Sequence, residues 1–278
     1  MNERVEGPTG AGIRLLVCDI DGTLVRHDKS LSAANIAAVR QLVDAGVKVT
    51  LISARPMHGM LPIAEALGLD GPFGAFNGGT VFDRQQRVVG TPQRIAPGVA
   101  QTILAQLDAA GITPWIFAHE QWVARDANNP HVPREILSSG LQATLLPDFS
   151  ALLSAVDKIV GVSDDAPLLR RAEIAMQAAT SGQATVALSQ PYFLDATALL
   201  ANKGDGVAAV AAAMGVPLAE VAVIGDMPND LPMFARAGLA IAMGQAPDAV
   251  RAAAHWTTAS NDDDGVARAI ERLLAARA

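Results

Sequence analysis

The sequence predicts an α/β protein in which a doubly wound parallel sheet carries an inserted α+β unit. Short apolar runs alternate with helical patterns in the first and last thirds of the chain, as is typical of strands that are buried on both faces of a parallel sheet. The middle third has short strands in succession and holds Trp115 and Trp122. We therefore expect a core of residues 1–82 and 191–278 and an inserted unit of residues 83–190.

The first third of the chain predicts two strand–helix pairs. An apolar run that ends abruptly in a polar residue marks each strand, and a capping residue or a proline marks each helix start. The elements are a strand at 15–18 before Asp19, a helix from Ser32 to about Gly46, a strand at 47–52 before Ser53, and a helix after Pro56.

The same order returns late in the chain, whereas the middle is richer in strands. Repeated strand–helix units favour a parallel sheet with helices on both faces. The late elements are helices at 202–215, 229–237 and 264–276 and strands at 221–224 and 239–243; those of the middle are strands at 113–118, 121–125, 157–163 and 184–189 and a helix at 165–181.

Composition excludes several classes of function. The net charge is −7, so we expect neither nucleic acid nor an anionic membrane surface as a partner. The single cysteine, Cys18, rules out an intramolecular disulfide. There is neither an apolar leader nor a long apolar stretch that would span a bilayer, so the expected location is cytoplasmic.

The segment DIDGT, residues 19–23, places two carboxylates directly after the first predicted strand. A carboxylate such as Asp19 is able to attack phosphorus and form an acyl phosphate. A second one two residues on, Asp21, is able to protonate the leaving oxygen and then deprotonate water. Gly22 permits the tight turn that aims both. The alternative is a solvated turn without chemistry.

A second acidic segment, GDMPND at 225–230, follows a late strand. Mg²⁺ prefers oxygen ligands and is commonly held by one or two carboxylates, which Asp19 and Asp226 would supply. Because the carboxyl ends of parallel strands converge on one crevice, these two residues are expected to meet. The alternative is a cluster in which Asn229 or Asp230 caps the next helix.

Lys203 and Ser53 are candidates for binding a phosphate. A lysine at a helix start is unfavourable unless an anion is present, and Lys203 stands at such a start. Ser53 follows a strand, where a hydroxyl and exposed backbone N–H groups suit a phosphate oxygen. The alternatives are a surface lysine and a simple helix cap.

The segments DIDGT, ISAR, NKG and GDMPND resemble, in this order, the four motifs of the haloacid dehalogenase (HAD) superfamily, and the late stretch is most similar to its Cof-type branch. The resemblance implies a HAD-like Rossmannoid core, an inserted α/β cap and Mg²⁺ as cofactor. It also implies roles by position: Asp19 as nucleophile, Asp21 as acid/base and carbonyl ligand of the metal, Ser53 and Lys203 as phosphate-binding residues, Asp226 as metal ligand, Asn229 and Asp230 beside the metal and its water, and Arg55, Asn77 and Gly78 as substrate contacts.

The presence of Asp21 favours a phosphatase over a dehalogenase, since the dehalogenase members lack an aspartate there. The resemblance thus implies a phosphoric monoester hydrolase whose partner is a small phosphorylated metabolite, with sugar phosphates expected. Two alternatives stay open: a phosphotransferase or phosphomutase on the same scaffold, and a non-catalytic sensor of phosphorylated metabolites. The sequence gives no prediction of oligomeric state.

Overall fold

The computed structural model describes residues 10–277. Its strands are β1 (Leu15–Cys18), β2 (Lys48–Leu51), β3 (Phe73–Ala75), β4 (Thr80–Phe82), β5 (Thr113–Ala118), β6 (Gln121–Ala124), β7 (Ala143–Leu145), β8 (Val156–Val162), β9 (Ala184–Gln190), β10 (Phe193–Ala198), β11 (Val221–Gly225), β12 (Leu239–Ala242) and β13 (Trp256–Thr257). Its helices are α1 (Ala33–Asp44), α2 (Met57–Leu67), α3 (Pro97–Ala109), α4 (Val132–Ser139), α5 (Ala166–Thr180), α6 (Lys203–Ala213), α7 (Leu231–Phe234), α8 (Asp248–Ala253) and α9 (Gly265–Ala275).

A parallel sheet forms the centre of the molecule, with strand order β13-β12-β11-β1-β2. Strand β1 pairs with β11 on one side, where Cys18 lies opposite Ile224, and with β2 on the other. Every residue of β1 is buried. Its side chains alternate between two cores, since Leu15 and Val17 pack on one face and Leu16 and Cys18 on the other.

Helices cover both faces of this sheet. Buried side chains of α1, α2 and α9, such as Leu42, Met60 and Ile270, share one core with Leu16. Side chains of α6 and α7, such as Val207 and Met233, share the other with Leu15. The predicted doubly wound parallel sheet is therefore confirmed.

The middle of the chain forms a second, six-stranded sheet with the order β7-β6-β5-β8-β10-β9. Its pairs are antiparallel except for β6 with β7. Strand β10 pairs with both β8 and β9, so a boundary at residue 190 separates hydrogen-bonded neighbours. The sheet of the inserted segment continues to Ala198, eight residues beyond the predicted boundary (198 − 190).

The two faces of the six-stranded sheet have different partners. One face packs against α3 and α5, with Leu107 and Met176 in its core. The other carries the aromatic side chains Trp115, Trp122 and Phe193, which belong to the same apolar cluster as Met60 of α2. The tryptophan rings meet edge to face with centroids 4.9 Å apart. This second face therefore lies over the carboxyl ends of the parallel strands.

Residues 229–237, predicted as one helix, form two shorter pieces. A 3₁₀ turn spans Pro228–Asp230, and α7 then adds one α-helical turn. The carboxylate of Asp230 accepts hydrogen bonds from the backbone N–H groups of Asp226 and Met227 and so closes the turn.

Among residues 10–277, no helix combines the length and apolar character that a bilayer crossing requires.

Candidate active site

Polar residues follow three adjacent strands of the parallel sheet at their carboxyl ends. Asp19 comes directly after β1, Ser53 lies two residues beyond β2, and Asp226 comes directly after β11. Because β1 is the middle strand of these three, the three side chains line one crevice. The backbones of these residues are held by apolar strands in the centre of the fold.

Lys203 joins two of the carboxylates of the site. Its Nζ donates to Asp19 Oδ1 and to Asp230 Oδ1, both at 2.6 Å. It is the first residue of α6, whose N-cap Asn202 accepts a hydrogen bond from the backbone N–H of Asp205. Only 2% of the Lys203 side chain is exposed. The alternative of a surface lysine therefore does not hold.

Asp230 is fixed through both of its carboxylate oxygens. Oδ1 accepts from Lys203, and Oδ2 accepts from the backbone N–H groups of Asp226 at 2.8 Å and of Met227 at 2.9 Å. It therefore orients Lys203 and the Asp226 backbone, and it does not cap α7 through its side chain.

Negative charge is concentrated here beyond what one lysine balances. Oxygens of Asp19, Asp226 and Asp230 lie within 4.8 Å of one another, and all three residues are buried. Burial raises the pKa of Asp19 against the opposing effect of Lys203. Burial, together with Asp19 and Asp230, raises the pKa of Asp226. This excess of carboxylates favours a cation.

The donor set fits a hard divalent cation such as Mg²⁺. Asp226 receives a hydrogen bond from Thr23 Oγ1 on Oδ1 at 3.2 Å, which leaves Oδ2 free. Lys203 likewise occupies only Oδ1 of Asp19. A Cβ at Gly22 would stand 2.3 Å from Asp226 Oδ2, so only glycine leaves room at this point. Carboxylate oxygens that lie within 4.8 Å of one another are the kind of ligand that Mg²⁺ prefers.

Asp21 takes part in a different interaction from the other carboxylates. Arg55 binds it through two hydrogen bonds, Nε to Oδ2 at 2.6 Å and Nη2 to Oδ1 at 2.8 Å, and Lys29 pairs with Oδ1 as well. Burial opposes its ionisation, but Arg55 and Lys29 outweigh burial and hold the pKa of Asp21 far below its usual range. Only its main-chain carbonyl therefore remains for a metal.

The remaining predicted residues lie around this cluster. Ser53 is not a helix cap, since α2 begins at Met57 with Pro56 as its N-cap; its Oγ accepts from the Arg55 N–H at 3.2 Å. Asn77 bonds through its backbone N–H to the Ser53 carbonyl and accepts from Asn229 Nδ2 at 3.3 Å. Asp19, Asp21, Ser53, Arg55, Lys203, Asp226 and Asn229 line one crevice, and Asp230 lies beneath it against Lys203. Asn77 and Gly78, predicted as substrate contacts, share a turn that lies outside the lining of this crevice.

The inserted segment supplies the opposite wall of the crevice. Lys158 of β8 donates from Nζ to the carbonyl oxygen of Ala54, at 2.9 Å, and so ties this segment to the loop after β2. The other contributions to the wall are Arg134, Glu135 and Ser138 of α4, and Ser189, Gln190, Tyr192 and Phe193 at and around the turn between β9 and β10.

Sequence reasoning missed two charged residues of the crevice, Lys29 and Glu135. Lys29 adopts a left-handed conformation (φ 70°) in the loop after β1, a placement that no local pattern signals. Glu135 is the last residue of the polar segment 126–135, in which several polar side chains stand side by side. The available signal was the helical spacing of Glu135, Ser138 and Ser139, which share the buried face of α4.

A family model described as haloacid dehalogenase-like hydrolase matches residues 16–270. Among curated proteins, the chain is 26% identical to the 5-amino-6-(5-phospho-D-ribitylamino)uracil phosphatase YwtE of Bacillus subtilis, over 94% of this chain and 98% of the relative.

Solved structures share the whole architecture. A haloacid dehalogenase-like hydrolase from Bacteroides thetaiotaomicron superposes with a TM-score of 0.79 at 28% identity, over 94% of this chain and 99% of that one. A sugar phosphatase of HAD subclass IIB gives a TM-score of 0.79 at 22% identity, over 93% and 98% of the two chains. The parallel core and the inserted unit therefore occur together in these relatives.

Proposed function

The chain belongs to the haloacid dehalogenase-like hydrolases, in their Cof-type branch, and is a phosphatase; from this we propose that it hydrolyses small phosphorylated metabolites with Mg²⁺ and through an aspartyl phosphate on Asp19. The B. subtilis relative is named for a substrate with a phosphate on a ribityl chain, and a structural relative is a sugar phosphatase. Both names support an alcohol rich in hydroxyl groups as the leaving group.

The observation that carries this proposal is the buried arrangement of Asp19, Lys203 and Asp230 beside Asp226. Asp19 presents a free oxygen, while Lys203, held by Asp230, stands ready to balance the charge of an incoming phosphoryl group. A site for binding alone would need neither the nucleophile nor the second carboxylate, Asp21.

In the first half-reaction, the free carboxylate oxygen of Asp19 attacks phosphorus, the bond from phosphorus to the ester oxygen breaks, and the alcohol leaves with a proton from Asp21. In the second, a water attacks phosphorus, Asp21 takes its proton, and the bond from phosphorus to Asp19 breaks to release phosphate. Lys203 stabilises the negative charge in both steps.

The ion pairs of Asp21 suit the second half-reaction, because Arg55 and Lys29 keep its carboxylate ionised and able to accept a proton. For the first half-reaction Asp21 needs a proton. An ester dianion competes with Asp21 for Arg55 and Lys29. When these two cations bind the phosphate, they no longer hold the pKa of Asp21 low, and Asp21 takes up the proton. Arg55 and Lys29 would thus serve both as substrate contacts and as regulators of Asp21.

Asp19 and Asp226 would hold Mg²⁺, with the main-chain carbonyl of Asp21 as a third ligand. The ion supplies positive charge that offsets the repulsion between Asp19 and a phosphate dianion and polarises a phosphoryl oxygen.

We further propose that the segment from residue 83 to 198 acts as a cap that carries the leaving-group pocket, with the remainder of the chain as catalytic core.

The test is phosphate release from a panel of sugar and polyol phosphates, with Mg²⁺ and with EDTA. We expect release only with Mg²⁺ and a loss of at least about 10³-fold in Asp19→Asn, which has no nucleophilic oxygen anion. The matched control is Asp44→Asn at the exposed end of α1.

A second experiment tests the aspartyl phosphate. When the parent enzyme is quenched with acid during turnover of substrate that carries a radiolabelled phosphate, alkali-labile label should remain on the protein.

Each alternative function predicts a different result. A phosphotransferase or phosphomutase would move the label to an added acceptor sugar in preference to water. A sensor would bind the esters without release of phosphate, and that outcome would reject the proposed hydrolysis.

A further inference from the structure

Glu135 is a largely buried acidic residue in the wall of the crevice. It is only 5% exposed and lines the same crevice as Asp19. Within the described part of the chain, no hydrogen bond from a protein donor reaches its carboxylate, and the nearby opposite charge of Lys158 does not prevent burial from raising its pKa to about 7. Its oxygens retain access to the crevice, so they are placed to accept hydrogen bonds from a ligand there.

The packing of α4 fixes the direction of Glu135. Glu135, Ser138 and Ser139 form the buried face of the helix, and Ser139 Oγ donates to the Glu135 carbonyl at 2.7 Å. This face lies so close to α2 that a Cβ at Gly59 would stand 2.1 Å from the Ser138 carbonyl oxygen. Glu135 therefore has no freedom to move to the surface by a small shift of its helix.

Arg55 of the core, whose charge acts on Glu135, is bound to Asp21, and two cations of the inserted segment are engaged elsewhere as well. Lys158 donates to the Ala54 carbonyl oxygen, and its ammonium stands over the Phe117 ring at 4.6 Å. The Arg134 guanidinium lies over the Tyr192 ring and donates to the His27 carbonyl at 3.4 Å. Neither forms an ion pair with Glu135.

A second carboxylate, Asp195 of β10, lies close to Lys158 in the lining of a neighbouring cavity. It is 3% exposed, and Lys158 Nζ lies 3.8 Å from Oδ2. Two buried carboxyl groups thus stand near one lysine that already donates to a carbonyl. Groups that donate hydrogen bonds are stabilised at such a wall, and anionic groups are repelled.

We propose that Glu135 is a specificity-determining residue, which receives hydrogen bonds from hydroxyl groups of the leaving alcohol and disfavours substrates with a second anionic group on that alcohol. The inference rests on the proposed function and specifies its substrate class as phosphate monoesters of uncharged, hydroxyl-rich alcohols. Glu135 acts on the part of the substrate that leaves, and the phosphoryl group keeps its own partners, Asp19 and Lys203.

The experiment compares Glu135→Ala and Glu135→Gln with the parent on ribitol 5-phosphate, fructose 1,6-bisphosphate and p-nitrophenyl phosphate. We expect Glu135→Ala to lower kcat/KM for ribitol 5-phosphate by at least about 10-fold, mainly through KM, and to leave p-nitrophenyl phosphate within about two-fold, because nitrophenol offers no hydroxyl donors. Glu135→Gln retains an acceptor, so it should recover most of the loss and raise the relative activity on the bisphosphate.

The exposed Glu120→Gln, on the turn between β5 and β6, is the matched control and should behave as the parent on all three esters. Equal effects of Glu135→Ala on all three esters, or none on ribitol 5-phosphate, overturn the inference while the proposed hydrolysis stands. A parent protein that releases phosphate from no ester overturns both. Circular dichroism of each variant checks that a loss does not come from misfolding.

Discussion

Lys203 illustrates at the scale of a residue how the site is held together. Burial disfavours its ammonium group, but Asp19 and Asp230 outweigh burial and raise the pKa of Lys203. Removal of one partner from a buried ion pair typically costs about 3–5 kcal/mol, because the other charge is left uncompensated. The triad is therefore interdependent, and its benefit lies in a lysine that is charged and fixed before substrate arrives.

Glu135 gives a pH-dependent prediction for stability. Its pKa in the folded protein is raised to about 7, above the value of about 4.3 for an unfolded chain. Its contribution to stability is fully present below the unfolded value and is lost as pH rises through about 7. Because Gln does not titrate, the free energy of unfolding of Glu135→Gln relative to the parent should rise by about 1–3 kcal/mol from about pH 5 to about pH 8.

Urea unfolding without Mg²⁺ at the two pH values measures this difference. Glu120→Gln, whose side chain is exposed, should follow the parent at both values. A difference between Glu135→Gln and the parent that is the same at both pH values would show that the Glu135 carboxyl titrates normally in the folded protein.

The residues that sequence reasoning could place are those whose position depends on a strand end. Asp19 and Asp226 follow apolar runs that fit only buried strands, and parallel pairing of β1 with β11 brings them together. Glu135 depends instead on how α4 docks against α2, and Lys29 depends on the path of a loop. A loop path leaves no periodic pattern in the sequence, and the helical spacing of Glu135, Ser138 and Ser139 indicates a shared face without indicating what that face packs against.

At the scale of an element, the position of α6 is decided by a contact between backbones. Gly206 in its first turns lies against the turn of Asn77 and Gly78, where a Cβ on Gly206 would stand 2.7 Å from the Gly78 Cα and 2.7 Å from Ile52 Cδ1. This approach sets the distance between Lys203 at the start of α6 and the end of β1. The small residue therefore positions the lysine as well as the helix.

We predict that Gly206→Ala destabilises the protein by about 1–3 kcal/mol, because the Cβ has no space and α6 must shift. Activity should fall as well, since Lys203 moves with the helix. Thermal unfolding and kcat/KM for a polyol phosphate measure the two effects.

Gly98→Ala in α3 is the control for Gly206→Ala, since a Cβ there meets nothing within 4 Å. In open space, replacement of a helical glycine by alanine should stabilise by up to about 1 kcal/mol. If the two variants changed stability in the same direction, the close contact of α6 would not be limiting.

Strands could be predicted from the sequence where burial of the strand produces a continuous apolar run. The strands β1, β2, β11 and β12 are buried on both faces and therefore appear as apolar runs. The sequence pattern does not predict strand β10, because Asp195 and Thr197 interrupt its apolar run, although both side chains are buried. Both side chains line a cavity beside the crevice, and without a continuous apolar run the pattern places the predicted boundary before β10.

At the scale of the whole molecule, the crevice differs in charge from the protein that surrounds it. The chain carries a net charge of −7. The crevice wall contains five cationic and four acidic side chains, a formal balance of +1 (5 − 4): Lys29, Arg55, Arg134, Lys158 and Lys203 against Asp19, Asp21, Glu135 and Asp226. An anionic ester is thus repelled by most of the surface and attracted at one place, where burial strengthens the attraction.

The inserted segment meets the core through an apolar cluster and through close contacts between polar and backbone groups. The Lys158 ammonium reaches the Ala54 carbonyl at 2.9 Å, and α4 meets α2 at Gly59. These contacts bring Glu135 to the crevice that holds Asp19, so the complete site exists only when the two parts are together. Cap closure of this kind excludes water and completes the catalytic constellation in other enzymes.

The approach of α4 to α2 leads to the last prediction. In Gly59→Ala the new Cβ would stand 2.1 Å from the Ser138 carbonyl oxygen, and because both partners are helical backbone, the inserted segment must move away from the core. We expect kcat/KM for a polyol phosphate to fall at least about 10-fold, while p-nitrophenyl phosphate, which needs no contact with Glu135, loses less. Small-angle X-ray scattering should show a larger radius of gyration, and Gly98→Ala should match the parent in both measurements. Unchanged activity and dimensions in Gly59→Ala would show that catalysis does not depend on this contact between the two parts.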